Sequence, residues 1–172
     1  LDFARHTGVT LESRGIVADW NKAENKMTIY HNGQAPHMMQ HIIAKHLDLN
    51  EGLVRIVSRD VGGSFGIKVH VYPDEMAVTA ISKKIGRPVK FIADRLESFT
   101  TDIHARCHKI SGKLGVDKNG KILAMEIDDL SGIGPFSMYP RTSAIETNQV
   151  LNLSGAPYVI PNYKAVGTVV FQ

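Results

Sequence analysis

The chain has 172 residues, of which 43% are hydrophobic and 22% are charged, and its formal net charge is +3. This balance is typical of a globular protein rather than a disordered one, and no apolar run approaches the roughly 20 residues of a membrane-spanning helix. The length fits a single domain over residues 1–172. Because neither a membrane-spanning run nor a signal peptide is visible, we expect a cytoplasmic location.

The charge and the cysteine content exclude two further classes of function. Lys and Arg are scattered among acidic neighbours, which argues against a nucleic-acid partner. The single cysteine, Cys107, excludes an internal disulfide within one copy of the chain. It also excludes zinc or iron–sulfur sites built from cysteines.

Apolar periodicity predicts the elements of the first half of the chain. Alternation over Arg14 to Trp20 and over Lys26 to His31 predicts two antiparallel strands. A helix is predicted from Pro36, and a strand from Leu53 to Arg59 leads into the glycine-rich segment RDVGGSFGIK, Arg59 to Lys68. The apolar residues of this helix recur at three-to-four spacing and are Met38, Met39, Ile42, Ile43 and Leu47.

A second helix and a strand are predicted after the glycine-rich segment. Pro73 opens the helix and Gly86 ends it. The following strand runs from Val89 to Asp94, and Asp94 with Glu97 has the spacing of a capping box for a short helical turn. The predicted apolar face of the second helix consists of Ala77, Val78, Ile81 and Ile85.

The last third of the chain begins with a strong hairpin signal. Ile110 to Val116 and Ile122 to Ile127 flank the turn Asp117 to Gly120. A helix around Thr142 to Leu151 and a strand over Tyr163 to Phe171 complete the prediction. Because hairpins and crossovers alternate, the fold class is α+β, with helices packed on a mixed sheet. The chain stops inside a predicted strand, so we expect it to be a fragment of a longer subunit.

The glycine-rich segment has the general form of an anion-binding loop, a strand followed by glycines and a helix. Gly62, Gly63 and Gly66 do not fit the dinucleotide fingerprint G-x-G-x-x-G. A phosphate-binding Walker loop is excluded because Ile67 separates Gly66 from Lys68. Two interpretations stay open on local chemistry: a backbone-donor loop of another type, or a structural turn.

Two other features have competing explanations. His37 and His41 would share one helical face, as zinc ligands often do, but the Glu of HExxH and a third ligand are missing. A solvated or capping role is therefore preferred, and no metal ligand is assigned. Gln34, between a strand end and a helix start, either caps the helix or donates to an oxo group; locally, capping is favoured.

Short segments in a fixed order carry a resemblance to a known family. They are Leu11–Gly15, Gln34–His37, Asp60–Gly66, Gly86–Lys90, Asp94–Glu97, His104–Arg106 and Pro157–Asn162. Together they resemble the molybdenum hydroxylases, which include xanthine dehydrogenase, aldehyde oxidase and the large subunit of aerobic carbon monoxide dehydrogenase. Residues 68–73 look closest to the carbon monoxide dehydrogenase branch. The resemblance covers nearly the whole chain and implies a molybdenum-cofactor-binding domain.

The resemblance implies a set of site residues. Gln34 and Phe65 would line the molybdenum centre as the catalytic residues, and no side chain would ligate the metal. Ser64 replaces a usual glycine, so the loop either avoids positive φ there or gains a hydrogen bond from the hydroxyl. Val69 replaces a common Glu, which argues against a purine-type substrate clamp. The implied cofactor-binding residues are Gln34, Gly62, Gly63, Ser64, Phe65 and Gly66.

The resemblance also implies an activity, the oxidative hydroxylation of an aldehyde, an N-heterocycle or carbon monoxide. The cofactor would be molybdenum–molybdopterin in its cytosine dinucleotide form, with electrons passing to Fe–S and FAD partners. The general-base Glu of the family would lie outside this segment. The isolated chain is therefore expected neither to retain the cofactor nor to turn over. The alternative is a non-enzymatic α+β binding module whose glycine loop is structural.

Overall fold

The computed structural model describes residues 1–137, 142 and 144–172. Its strands are β1 (Asp2–Phe3), β2 (Gly15–Asn21), β3 (Lys26–His31), β4 (Val54–Val57), β5 (Val89–Ile92), β6 (His108–Val116), β7 (Ile122–Gly132) and β8 (Asn162–Val170). Its α-helices are α1 (Pro36–His46), α2 (Pro73–Ile85), α3 (Arg95–Thr101) and α4 (Ile145–Leu153).

The chain divides into two compact units, which are described separately. The central unit is Thr7–Ile103, and the terminal unit joins Leu1–His6 to His104–Gln172. The single domain expected over residues 1–172 stays a prediction.

The central unit contains a sheet in the order β4-β3-β2-β5. The predicted antiparallel pairing of β2 with β3 is confirmed, with Ile16 opposite His31 and Trp20 opposite Met27. β3 and β4 are parallel, which a crossover through α1 makes possible. Alternate residues of β2 are buried on one face, as a half-buried strand requires.

Both long helices of the central unit contribute to its core, but only one does so with the predicted residues. α1 buries Met39, Ile42 and Ile43, as its spacing predicts. The predicted apolar face of α2 is right at Val78, which is buried, and wrong at Ala77, Ile81 and Ile85, which are exposed. Beside Val78, the helix buries Glu75, Thr79 and Ser82. These polar groups can be buried because they have partners; Ser82, for example, accepts a hydrogen bond from the N–H of Trp20.

The short helix α3 confirms the predicted capping box. Asp94 accepts a hydrogen bond from the N–H of Glu97, and Glu97 accepts one from the N–H of Asp94, both at 2.8 Å. Two of the helix's N-terminal N–H groups are satisfied in this way.

The terminal unit contains a second sheet, in the order β1-β6-β7-β8. β6 and β7 form the predicted hairpin around Asp117, whose carboxylate accepts from the N–H groups of Asn119 and Lys121. β8 runs parallel to β7, and α4 packs on both strands. The predicted start of α4 falls partly on residue 143, which lies outside the described residues.

The α+β class is confirmed, since each sheet mixes parallel and antiparallel pairs and carries helices. The strands belong to two sheets, whereas the sequence indicated one. In the part of the chain that the structure describes, no helix combines the length and the apolar character needed to cross a membrane.

Candidate functional site

The glycine loop, Gly62–Gly66, follows β4 and has an unusual backbone. Gly63, Phe65 and Gly66 have positive φ angles of 95°, 52° and 89°. Glycine adopts this left-handed region without a steric penalty. Phenylalanine does not, so Phe65 carries backbone strain of the kind that often occurs at ligand sites. Its side chain is also 76% exposed, which means that packing within this chain does not explain the strain.

Ser64 settles the two possibilities raised by its replacement of a glycine. Its φ angle is not positive, and its hydroxyl donates a hydrogen bond to the side-chain oxygen of Gln34. Ser64 therefore both avoids the left-handed region and adds a hydrogen bond. The serine also links the glycine loop to the segment between β3 and α1.

Gln34 does not cap α1, although the local sequence favours that role. The residue at the N-cap is Ala35, and no side chain bonds to the first turn. The N–H of Gln34 donates to the carbonyl of Lys68 at 3.1 Å. Its side chain is exposed, and its amide NH₂ has no acceptor among the described residues. This leaves a neutral donor beside the glycine loop.

The glycine loop presents several unused backbone donors. The N–H of Gly62 donates to Glu12, and the N–H of Ile67 donates to the carbonyl of Ser64. The four N–H groups between them, those of residues 63–66, bond to no acceptor in the described part of the chain. Unused N–H groups next to a neutral amide donor can stabilise an electron-rich oxygen or sulfur atom without reorganising.

An ion pair lies beneath the loop, and its members are absent from the residues predicted for the site. The side chain of Lys68 is fully buried, and its ammonium lies 2.9 Å from the carboxylate of Glu12. Partial burial raises the pKa of Glu12, but hydrogen bonds from Lys68 and from the N–H of Gly62 outweigh it and hold that pKa below its ordinary value. Glu12 therefore stays ionised beside the loop.

A larger buried charge cluster lies nearby in the central unit. Arg14 donates to Asp102 at 2.6 Å, to Asp74 at 2.7 and 2.8 Å, and to Glu75 at 3.2 Å. The guanidinium also stacks on the ring of Tyr72, 3.8 Å from its centre. Burial lowers the pKa of Arg14, but the carboxylates outweigh this and raise it overall. Burial also raises the pKa of the Tyr72 hydroxyl.

The charge cluster extends to His31, whose ring lies against Gly33, the residue before Gln34. The ring of His31 lies 3.0 Å from Glu75 and is buried. A Cβ atom on Gly33 would come within 2.3 Å of this ring, so only glycine fits before Gln34. Arg14 lies inside Leu11–Gly15, one of the segments that carry the family resemblance, but its partners are up to 88 residues away, and sequence spacing gives no sign of them.

A separate polar network in the terminal unit is structural. His108 Nδ1 lies 2.9 Å from Asp129 and 2.8 Å from the hydroxyl of Ser131. Thr147 donates to Ser131 at 2.6 Å and so ties α4 to β7. Although Ser, His and Asp are the residue types of a hydrolytic triad, Ser131 is buried and already fully bonded, so it is no accessible nucleophile.

The paired histidines of α1, His37 and His41, are both exposed. His41 contacts Glu51 at 2.6 Å on the surface. No group of three or more His, Cys, Asp or Glu side chains in residues 1–137, 142 and 144–172 is arranged to hold a metal ion. The structure therefore brings together Gln34 and the glycine loop, and among the described residues neither His37 nor His41 forms a hydrogen bond with them.

Comparison with known proteins identifies the family. A family model, the molybdopterin cofactor-binding domain, matches residues 1–172. The chain is 36% identical over 126 residues to the carbon monoxide dehydrogenase large chain of Hydrogenophaga pseudoflava, and the aligned region covers 73% of this chain and 16% of that protein. It is 31% identical to subunit gamma of the 6-hydroxypseudooxynicotine dehydrogenase complex of Paenarthrobacter nicotinovorans, covering 97% of this chain and 21% of that protein.

Solved structures agree with this assignment. Quinoline 2-oxidoreductase from Pseudomonas putida 86 matches with a TM-score of 0.91 and 27% identity, covering 98% of this chain and 22% of that one. Carbon monoxide dehydrogenase from Oligotropha carboxidovorans matches with a TM-score of 0.89 and 27% identity, covering 99% of this chain and 21% of that one. The chain thus spans about a fifth of the length of the proteins it matches. From the match of residues 1–172 together with these likenesses, we conclude that the chain belongs to the molybdopterin cofactor-binding domain family.

Proposed function

We propose that Gln34 and the glycine loop form one wall of a molybdenum–molybdopterin site in a molybdenum hydroxylase. The observation that carries the proposal is the hydrogen bond between Ser64 and Gln34, which places a free amide donor beside four unused backbone N–H groups. Membership of the cofactor-binding family agrees with this location.

The donor set suits the proposed cofactor. When bound, molybdenum–molybdopterin supplies the redox chemistry of the hydroxylation. The chain's own part is to bind and orient it: the amide of Gln34 would donate to an oxygen ligand of the metal, and the N–H groups of residues 63–66 would donate to further oxygen or sulfur atoms. Gly63 and Gly66 let the backbone approach closely. The exposed, strained ring of Phe65 would pack against the cofactor edge or a flat substrate.

The remaining parts of the proposal concern the whole enzyme. Its reaction would be the oxidation of an aldehyde, an N-heterocycle or carbon monoxide, and its cofactor would have the cytosine dinucleotide form. Fe–S and FAD partners and the rest of the large subunit would complete it, in the cytoplasm. A relative described as a carbon monoxide dehydrogenase large chain and another described as a subunit of a dehydrogenase complex support this assembly.

The test is the molybdenum content of the purified polypeptide that carries residues 1–172, assembled with its partners. Replacing Gln34 with Ala is expected to lower the molybdenum-to-protein ratio or the activity by about 10- to 100-fold, the usual effect of removing a supporting group at a metal site. Gln149→Ala, at an exposed glutamine of α4, is the matched control. Equal molybdenum content and equal activity in both variants would refute the assignment of Gln34.

A second measurement concerns the 172-residue chain alone. We expect it to bind no molybdenum and to show no hydroxylase activity, because it would supply only one wall of the site. Stoichiometric metal with turnover in the isolated chain would overturn this expectation.

A further inference from the structure

The ion pair of Lys68 and Glu12 is more than a charge contact, because each residue also binds one half of the candidate site. The Lys68 side chain has no exposed surface, and its one ion-pair partner among the described residues is Glu12. A buried ammonium without a partner is strongly unfavourable, so Glu12 is required wherever Lys68 is present.

Glu12 holds the first glycine of the loop at both of its backbone groups. Its carboxylate accepts the N–H of Gly62 at 2.8 Å, and its own N–H donates to the carbonyl of Gly62 at 3.2 Å. The contact is so close that a Cβ atom on Gly62 would lie 2.5 Å from the Cβ of Glu12. The position of Glu12 therefore sets where the glycine loop begins.

Lys68 holds the other half of the candidate site. Its backbone carbonyl accepts the N–H of Gln34 at 3.1 Å, while its ammonium is fixed on Glu12. One residue thus connects the segment that carries Gln34 to the residue that anchors the loop.

We propose that Lys68 and Glu12 are positioning residues that set the distance between the Gln34 amide and the free N–H groups of the glycine loop. The positioning role itself is independent of the proposed function; only the identity of the ligand that the positioned groups bind rests on it. Stability alone does not account for the pair, since the Glu12 side chain is 42% exposed and a contact with such a carboxylate adds little net stability, so exchanging both residues for uncharged ones would cost little. Positional specificity is what such an exchange would lose.

The experiment measures backbone amide signals of the 172-residue chain by ¹H–¹⁵N NMR. In Lys68→Met, the signals of both Gly62 and Gln34 are expected to shift, although the Lys68 carbonyl that Gln34 bonds to is retained. Glu51→Gln is the matched control, because this exposed carboxylate pairs with His41 and, among the described contacts, with no residue of the glycine loop. If Gly62 and Gln34 keep their signals in Lys68→Met, the proposal is wrong.

A second arm covers the case in which Lys68→Met does not fold. The double variant Glu12→Gln, Lys68→Met removes both charges and is expected to fold, with Gly62 and Gln34 still shifted. In the unmodified chain, acidification should move the Gly62 and Gln34 signals with one common midpoint, as Glu12 takes up a proton. Separate midpoints for the two signals would overturn the coupling.

A molybdenum measurement distinguishes this inference from the proposed function. In the assembled enzyme, the double variant should lose about 10- to 100-fold in molybdenum content or activity. Shifted amides with unchanged molybdenum and activity would support the positioning role while refuting the proposed function. Unshifted amides would refute the positioning role whatever the metal content.

Discussion

Replacing Arg14 with glutamine is expected to remove a large share of the stability of the central unit. The guanidinium is 1% exposed and donates to three carboxylates, those of Asp74, Glu75 and Asp102. Glutamine is neutral and shorter, so at pH 7 it would leave these carboxylates clustered without their cation. Removing one partner of a buried ion pair is far more damaging than replacing the whole pair.

The magnitude follows from the exposure of the three carboxylates. Summing four charge-assisted hydrogen bonds at about 1.5–3 kcal/mol each gives roughly 6–12 kcal/mol, which is too large because such bonds are not additive. Asp74 is 27% exposed and can be hydrated, whereas Glu75 and Asp102 are 1% and 5% exposed. The realistic loss is that of one broken buried pair, about 4 kcal/mol. This is a large part of the roughly 5–15 kcal/mol that stabilises a typical domain.

Urea unfolding monitored by the fluorescence of the buried Trp20 is the assay. With a slope of about 2 kcal/mol per molar urea, Arg14→Gln should lower the midpoint by about 2 M. The urea midpoint of Arg14→Lys should lie between those of Arg14→Gln and the unmodified chain, because the compact ammonium of lysine cannot hydrogen-bond to three carboxylates as the planar guanidinium does. Arg55→Gln, at an exposed arginine of β4, should change stability by less than about 0.5 kcal/mol. A loss for Arg14→Gln as small as that of Arg55→Gln would refute the reasoning.

Two further outcomes are expected for the supports of the site. Gly33→Ala should lower the free energy of unfolding by about 1–3 kcal/mol through overpacking, since the added Cβ would lie 2.3 Å from the His31 ring that Glu75 holds in place. Thermal unfolding measures the loss, with Gly115→Ala as the control, because a Cβ there would make only an ordinary contact at 3.7 Å. Equal melting temperatures for the two variants would contradict the prediction. The folded-state pKa of Glu12 is lowered, so its contribution to stability is fully present above its unfolded pKa and is lost as pH falls through the folded one. The stability difference between the unmodified chain and Glu12→Gln should therefore be constant above about pH 5 and shrink below it; a difference that grows on acidification would contradict the prediction.

The sequence predicted the elements whose residues interact locally. The alternation in β2 and β3, the three-to-four spacing in α1 and the capping box of α3 are all confirmed. Each depends on residues a few positions apart, where periodicity and side-chain chemistry carry the information. The family resemblance was likewise readable, because its motifs are short and contiguous.

The errors arose where distant charges decide what is buried. α2 buries Glu75, although Ile81 and Ile85 are more apolar, because Arg14 and His31 bind its carboxylate. Periodicity treats a glutamate as a surface residue, and nothing local indicates a cation 61 residues away. Lys68 and Glu12 were missed for the same reason, since they are separated by 56 residues. Whether Gln34 and the glycine loop bind the cofactor stays a prediction.

The parallel pairing of β3 with β4 explains why two separate segments can meet at one place. Neighbouring strands that point the same way release the chain at the same edge of their sheet, and here the segment bearing Gln34 follows β3 while the glycine loop follows β4. A hairpin could not do this, because it returns the chain to the opposite edge. Open sheets with parallel strands commonly bind their ligands at the carboxyl ends of those strands. In the central unit, this single parallel pair, among otherwise antiparallel neighbours, is the topological condition for a site built from two loops.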